Sequence, residues 1–169
     1  MKSSRVVFTT VALGACLLWS PKLRGDENQS HTHKTSMKTK ITPFLMFEGK
    51  AEQAMNFYVG LFPDAKIVTA KRYGKGGSGR EGTIEQAVFE IAGQRVMCID
   101  SPAKHAFTFT PSISLFVQCT SESQIDELTK KLSENGTALM PLGKYGFSKK
   151  FAWIQDRFGV SWQLNLPND

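Results

Sequence analysis

The chain has 169 residues, is 41% hydrophobic and carries a formal net charge of +6, enough for one domain with a substantial core. Residues 1–40 hold seven Lys/Arg against Asp26 and Glu27, whereas the other 129 residues hold 14 basic and 13 acidic side chains. The folded part is therefore nearly neutral and lacks the basic stripe that a phosphate backbone requires, which argues against a nucleic-acid partner.

Residues 1–20 read as an export leader. Lys2 and Arg5 give a positive start, and the mostly apolar run from Val6 to Trp19 is too short to span a bilayer comfortably. We read residues 1–25 as a signal peptide, 26–40 as a polar linker without periodicity, and 41–169 as the folded domain. The expected location is periplasmic or secreted; Leu13-Gly14-Ala15-Cys16 resembles a bacterial lipobox, which gives a lipid anchor on Cys16 as an option within that reading. Translation from Met37 would instead give a cytoplasmic protein.

From residue 41 the elements follow in order. Residues 41–47 form a short apolar strand, and Glu48-Gly49 turns the chain. Ala51, Ala54, Met55, Tyr58, Val59 and Phe62 recur at helical spacing, so a helix runs to Phe62 and stops at Pro63. A strand over 66–73 leads into a glycine-rich loop, then strands 84–91 and 94–100 join through Ala92-Gly93 as a tight hairpin. After a connection over 101–111 the pattern restarts with a strand at 112–117. Ser121 and Gln124 make a capping box, Ile125, Leu128 and Leu132 mark a helix face, and Asn135-Gly136 closes the helix with a left-handed cap. A strand over 137–140, a loop over 141–148 and a final hairpin turning at Asp156, Arg157, Phe158 and Gly159 complete the chain. Alternation in the last strand puts Trp162 and Leu164 on one face and Gln163 and Asn165 on the other. The order strand, helix, three strands thus occurs twice.

Chemistry-bearing patterns are sparse. Gly74 to Gly79 matches G-x-G-x-x-G, but a strand rather than a helix follows it, so the phosphate-binding geometry is missing and a flexible flap is the better reading. The folded part holds one histidine, His105, and no Ser–His or Cys–His pair is visible for nucleophilic catalysis. Asp100, at the end of an apolar strand, is the carboxylate best placed for acid–base work, with a capping role as its alternative. Cys98 and Cys119 lie in strand-like runs and read as buried thiols, a disulfide between them being the other option. Trp153 and Trp162 read first as core.

The doubled order, with ITPFLMFEGKAEQAMNFYVGLFP at its front and QDRFGVSWQLNL at its end, resembles the vicinal oxygen chelate superfamily and, within it, the PhnB-like branch often labelled 3-demethylubiquinone-9 3-methyltransferase. The resemblance covers residues 41–166. It implies an α+β fold of two βαβββ modules forming a cupped eight-stranded mixed sheet around a small-molecule site, usually in a homodimer. Metal-dependent members place His or Glu at four strand positions, which fall here on Pro43, Cys98, Ser112 and Gln163. Proline offers no side-chain donor and an amide cannot serve as a base, so no metal and no cofactor is expected. With residues two apart on a strand sharing a face, the expected lining is Pro43, Leu45, Cys98, Ser112, Ser114, Trp153 and Gln163, with Asp100 as the catalytic candidate. The implied function is metal-independent binding of a small organic molecule, or an unassigned enzymatic activity. The alternatives are the methyltransferase of the label, a lyase or isomerase using Asp100 as base, and a drug-sequestering protein of the bleomycin-resistance type.

Overall fold

The computed structural model describes residues 39–168; the leader, the lipobox, Met37 and nearly all of the linker lie outside them. The first module runs β1 (Phe44–Phe47), α1 (Ala51–Val59), β2 (Lys66–Arg72), β3 (Ile84–Ile91) and β4 (Gln94–Asp100). The second runs β5 (Leu115–Gln118), α2 (Glu122–Ser133), β6 (Thr137–Tyr145), β7 (Ser148–Gln155) and β8 (Ser161–Leu166). Each module makes its own four-stranded sheet, ordered β1-β4-β3-β2 (sheet A) and β5-β8-β7-β6 (sheet B). In both, the first strand pairs parallel with the last and the remaining pairs are antiparallel. Helix α1 packs on β2, β3 and β4 as α2 packs on β6, β7 and β8, so the two helices occupy equivalent places. The eight expected strands are present, but no backbone ladder joins sheet A to sheet B.

Local chemistry explains most boundaries. Ser121 Oγ accepts from the Gln124 backbone N–H, and Gln124 Oε1 accepts from the Thr120 N–H, one residue before the expected partner. After α2 the left-handed residue is Asn135 (φ 57), not Gly136. Gly136 is needed for space: a Cβ there would lie 2.6 Å from the Gln155 carbonyl oxygen and 2.8 Å from that of Leu132. Helix α1 ends at Val59, earlier than the apolar pattern suggests, although Phe62 is still buried. Strand β6 continues through Pro141, where a loop is expected. It is the outer strand of sheet B, so the missing proline N–H disrupts no central ladder. The glycine-rich loop is tied at its base by Tyr73 N–H to Thr83 O and Gly82 N–H to Tyr73 O, and the Tyr73 ring packs so closely on Gly79 that a Cβ there would clash. It is less free than a flap.

One continuous core joins the modules. Tyr58 of α1 lies against Trp162 of β8, with ring centroids 5.2 Å apart, and Phe57 meets Phe158 of the β7–β8 turn at 5.9 Å. Arg157 stacks 4.0 Å over the Phe57 ring and reaches Glu134.

Cys98 and Cys119 are free and buried. Burial pushes the Cys98 thiol up to about 12, with the Asp100 charge adding to it, and pushes Cys119 up to about 11. Burial, then the Asp156 charge, raises the Tyr58 phenol far above its ordinary value. A folded pKa above the unfolded one gives stability that is complete below the unfolded value and is lost as pH rises toward the folded value. The urea midpoint should therefore be flat to about pH 8, fall above about pH 9 through the thiols, and fall faster above about pH 10 as Tyr58 joins, at ~1.4 kcal/mol per pH unit per group. A midpoint unchanged between about pH 8 and about pH 10.5 would contradict these assignments.

Candidate functional site

Each sheet has one face under its helix and one open face. On β8, Trp162, Leu164 and Leu166 are buried on the helix side, while Gln163 and Asn165 are half-buried on the open side. Register places Phe116 beside Gln163, and Gln163 beside Trp153. These residues, with Met140, Phe147 and Phe151, line an open basin of about 490 Å³. Phe147 and Phe151 meet edge to face at 5.2 Å, and Tyr145 stacks on Phe147 at 5.7 Å. Among the described residues no charged side chain lines the basin.

A hydrogen-bonded chain stiffens one end of the basin. Trp153 Nε1 donates to Ser161 Oγ at 2.9 Å, Ser161 and Ser114 share a bond of 2.7 Å, and Gln163 Nε2 donates to Ser114 Oγ at 3.2 Å. Asn165 Nδ2 donates to Gln118 Oε1 at 3.2 Å. Each of these NH₂ groups keeps a second N–H, and the Gln163 and Asn165 carbonyl oxygens accept no hydrogen bond from the described residues. The basin can thus accept hydrogen bonds from a ligand while its walls bury an apolar body.

Ser114, Trp153 and Gln163 of the expected lining come together here. Ser112 does not: it is exposed, before β5 rather than within it, and bonds Thr110 at 2.6 Å. Pro43 lines a separate groove of about 430 Å³ beside the β5 edge, which Ser114 also touches. Leu45, Cys98 and Asp100 lie on the helix side of sheet A. Leu45 pairs with Cys98 and Phe47 with Asp100, and the Asp100 carboxylate reaches the start of α1. The open face of sheet A carries Phe44, Met46, Met97 and Ile99 instead. Alternation correctly groups residues by face, but a one-residue difference in register exchanges the two faces, and alternation alone does not say which one opens.

Asp100 is a structural carboxylate. Its Oδ1 accepts the N–H groups of Gly49 at 2.7 Å and Ala51 at 2.8 Å, and its Oδ2 accepts that of Ile84 at 3.1 Å. Helix α1 has Lys50 at its N-cap and no side-chain cap of its own, so Asp100 supplies from β4 what the local sequence omits. One pairing escaped the sequence: Ser101 Oγ and His105 Nε2 lie 2.7 Å apart. Their four-residue separation in a loop was the only available signal.

The donor set does not suit a divalent cation. Among the described residues no three His, Cys, Asp or Glu side chains converge. With the open-face residues substituted for the expected ones, the candidate positions carry Phe44, Met46, Met97, Ile99, Phe116 and Gln163. None is an anionic or imidazole ligand.

The model of the family described as 3-demethylubiquinone-9 3-methyltransferase matches residues 39–165. A PhnB protein from Bacillus cereus is 57% identical over 76% of this chain and 99% of its own, with a TM-score of 0.74. A glyoxylase/bleomycin resistance protein/dioxygenase domain from Frankia sp. shares the fold at 15% identity, covering 79% of this chain and 100% of its own, with a TM-score of 0.53. So does a fosfomycin resistance protein from Listeria monocytogenes, complexed with Mn(II) and 1S,2S-dihydroxypropylphosphonic acid, at 13% identity over 78% of this chain and 94% of its own, with a TM-score of 0.51. No curated protein matches the chain.

Proposed function

The chain belongs to the 3-demethylubiquinone-9 3-methyltransferase family of PhnB-like proteins, within the glyoxalase/bleomycin-resistance superfamily, and on that premise we propose that it binds a small neutral ring compound on the open face of sheet B without using a metal ion. The observation that carries this reading is the basin itself: uncharged aromatic walls with the Gln163 amide among them, its carbonyl oxygen accepting no hydrogen bond from the described residues. Such a surface suits a phenol or cyclic alcohol, whose ring stacks on Phe147 and Trp153 and whose hydroxyl donates to Gln163. Catalysis by Asp100 gains no support, because its oxygens are occupied by backbone N–H groups. Methyl transfer gains none from the Gly74–Gly79 segment, which leads into β3 rather than a helix.

In the same reading the chain works as a homodimer. Ile67 and Val68 of β2, Ile113 before β5 and Leu139 of β6 are exposed outside both cavities, apolar side chains that a second copy would cover.

Calorimetry of the metal-stripped protein against neutral phenols and ring alcohols, with sedimentation of the same samples, tests this. Saturable binding is expected, weakened about tenfold in Gln163→Leu, the ~1.4 kcal/mol of one hydrogen bond, with a dimer in solution. Zinc, nickel, manganese and iron(II) should give no stoichiometric heat, even with Gln163→Glu. Micromolar metal binding lost in Gln163→Leu would sink the metal-free reading. Failure of the whole panel to bind would sink the basin.

A further inference from the structure

We infer that a second small-molecule site lies where β1 meets the connection between the modules, and that it takes an aromatic anion. A cavity of about 540 Å³ opens there, within the size range of ligand pockets. Phe44 and Met46 of the open face form one wall, and Phe107 and Phe109 of the connection form the other. It shares no lining residue with the sheet B basin.

Its polar end is built around His105. Ser101 Oγ holds Nε2 at 2.7 Å, the His105 backbone N–H donates to Glu48 Oε1 at 2.9 Å, and the ring lies 4.8 Å from that of Phe107. The Ser101 oxygen also accepts the Ala103 N–H at 3.2 Å. With Nε2 held by Ser101, Nδ1 is the ring nitrogen left for a ligand. Glu48 also lines the cavity, but Lys104 answers its charge at 3.1 Å. What remains for a ligand is the Lys50 ammonium at the rim and His105 Nδ1, beside aromatic faces. A ring bearing a carboxylate or sulfonate matches that set: the anion meets Lys50 and His105, and the ring packs between Phe44 and Phe107.

The test compares 2-naphthoate with the neutral 2-naphthalenemethanol by calorimetry on the full chain. The anion should bind at least tenfold more tightly. That advantage should vanish in Lys50→Ala and in His105→Ala, and Phe107→Ala should weaken both probes at least fivefold. Gln163→Leu, in the other basin, should leave the naphthoate affinity within twofold. Imidazole nitrogen NMR gives a readout independent of these variants: His105 Nδ1 should shift saturably with naphthoate. Equal affinity for the two probes, an undiminished preference in His105→Ala, or a silent Nδ1 would overturn the site. A loss of naphthoate binding in Gln163→Leu would overturn it too, by assigning the ligand to sheet B.

Discussion

Asp156→Ala should lower folding stability by at least about 4 kcal/mol, read as a shift of the urea midpoint at fixed protein concentration. Asp156 is buried, and both its oxygens are used twice. Oδ1 accepts the N–H groups of Phe158 at 2.8 Å and Val160 at 3.0 Å, closing the β7–β8 turn. Oδ2 accepts the Tyr58 hydroxyl at 2.8 Å and Trp162 Nε1 at 2.9 Å, joining the first helix to the last strand. Alanine would leave four donors without this partner, at a cost of about 1–3 kcal/mol for each one that stays buried. The low end of that sum already approaches the ~5–15 kcal/mol that holds an ordinary domain folded. Asp156→Asn keeps one acceptor oxygen but turns an NH₂ group toward two donors, so it should lie between the parent and alanine. Tyr58→Phe removes one of the four bonds and should cost about 1 kcal/mol. An alanine variant within about 1 kcal/mol of the parent would show that the junction does not depend on this carboxylate.

Asp100→Ala should cost about 3–5 kcal/mol, because it uncaps α1 and frees the Ile84 N–H at the start of β3 together. Asp100→Asn can still receive Gly49 and Ala51 at its carbonyl oxygen and loses mainly the Ile84 bond, so about half the effect is expected. A catalytic base and a structural cap separate on stability: a cap lowers the urea midpoint in Asp100→Asn, whereas a base that holds no backbone leaves it unchanged. Ser121→Ala at the start of α2 gives the scale for an ordinary local cap, about 1 kcal/mol. If the losses at Asp100 do not exceed that of Ser121→Ala, Asp100 does not anchor the first module.

The two helix starts show where the sequence is informative and where it is not. The α2 cap is written within four residues, Ser121 to Gln124, and can be read directly. The α1 cap comes from Asp100, 49 positions beyond Ala51, and nothing near Lys50 announces it. The candidate site divides the same way. Alternation in β8 sets Gln163 apart from Trp162 and Leu164, and β7 brings Trp153 beside it. In sheet A the same rule grouped Cys98 with Asp100 but did not reveal that their side is the helix side.

The sequence by itself determined the doubled strand–helix–strand order, the apolar faces of both helices, the pairing of residues by face along each strand, and the membership that residues 39–165 display. These follow from interactions within a few residues, whose periods of 3.6 and 2 are visible in the order of side chains. Only the tertiary structure decided which face of each sheet stays open, that Asp156 accepts from Tyr58 98 positions away, and that Ser101 meets His105 beside an aromatic cavity. Those outcomes depend on how far one module's side chains reach into the other once the common core closes. Packing decides that distance, and no local pattern encodes it.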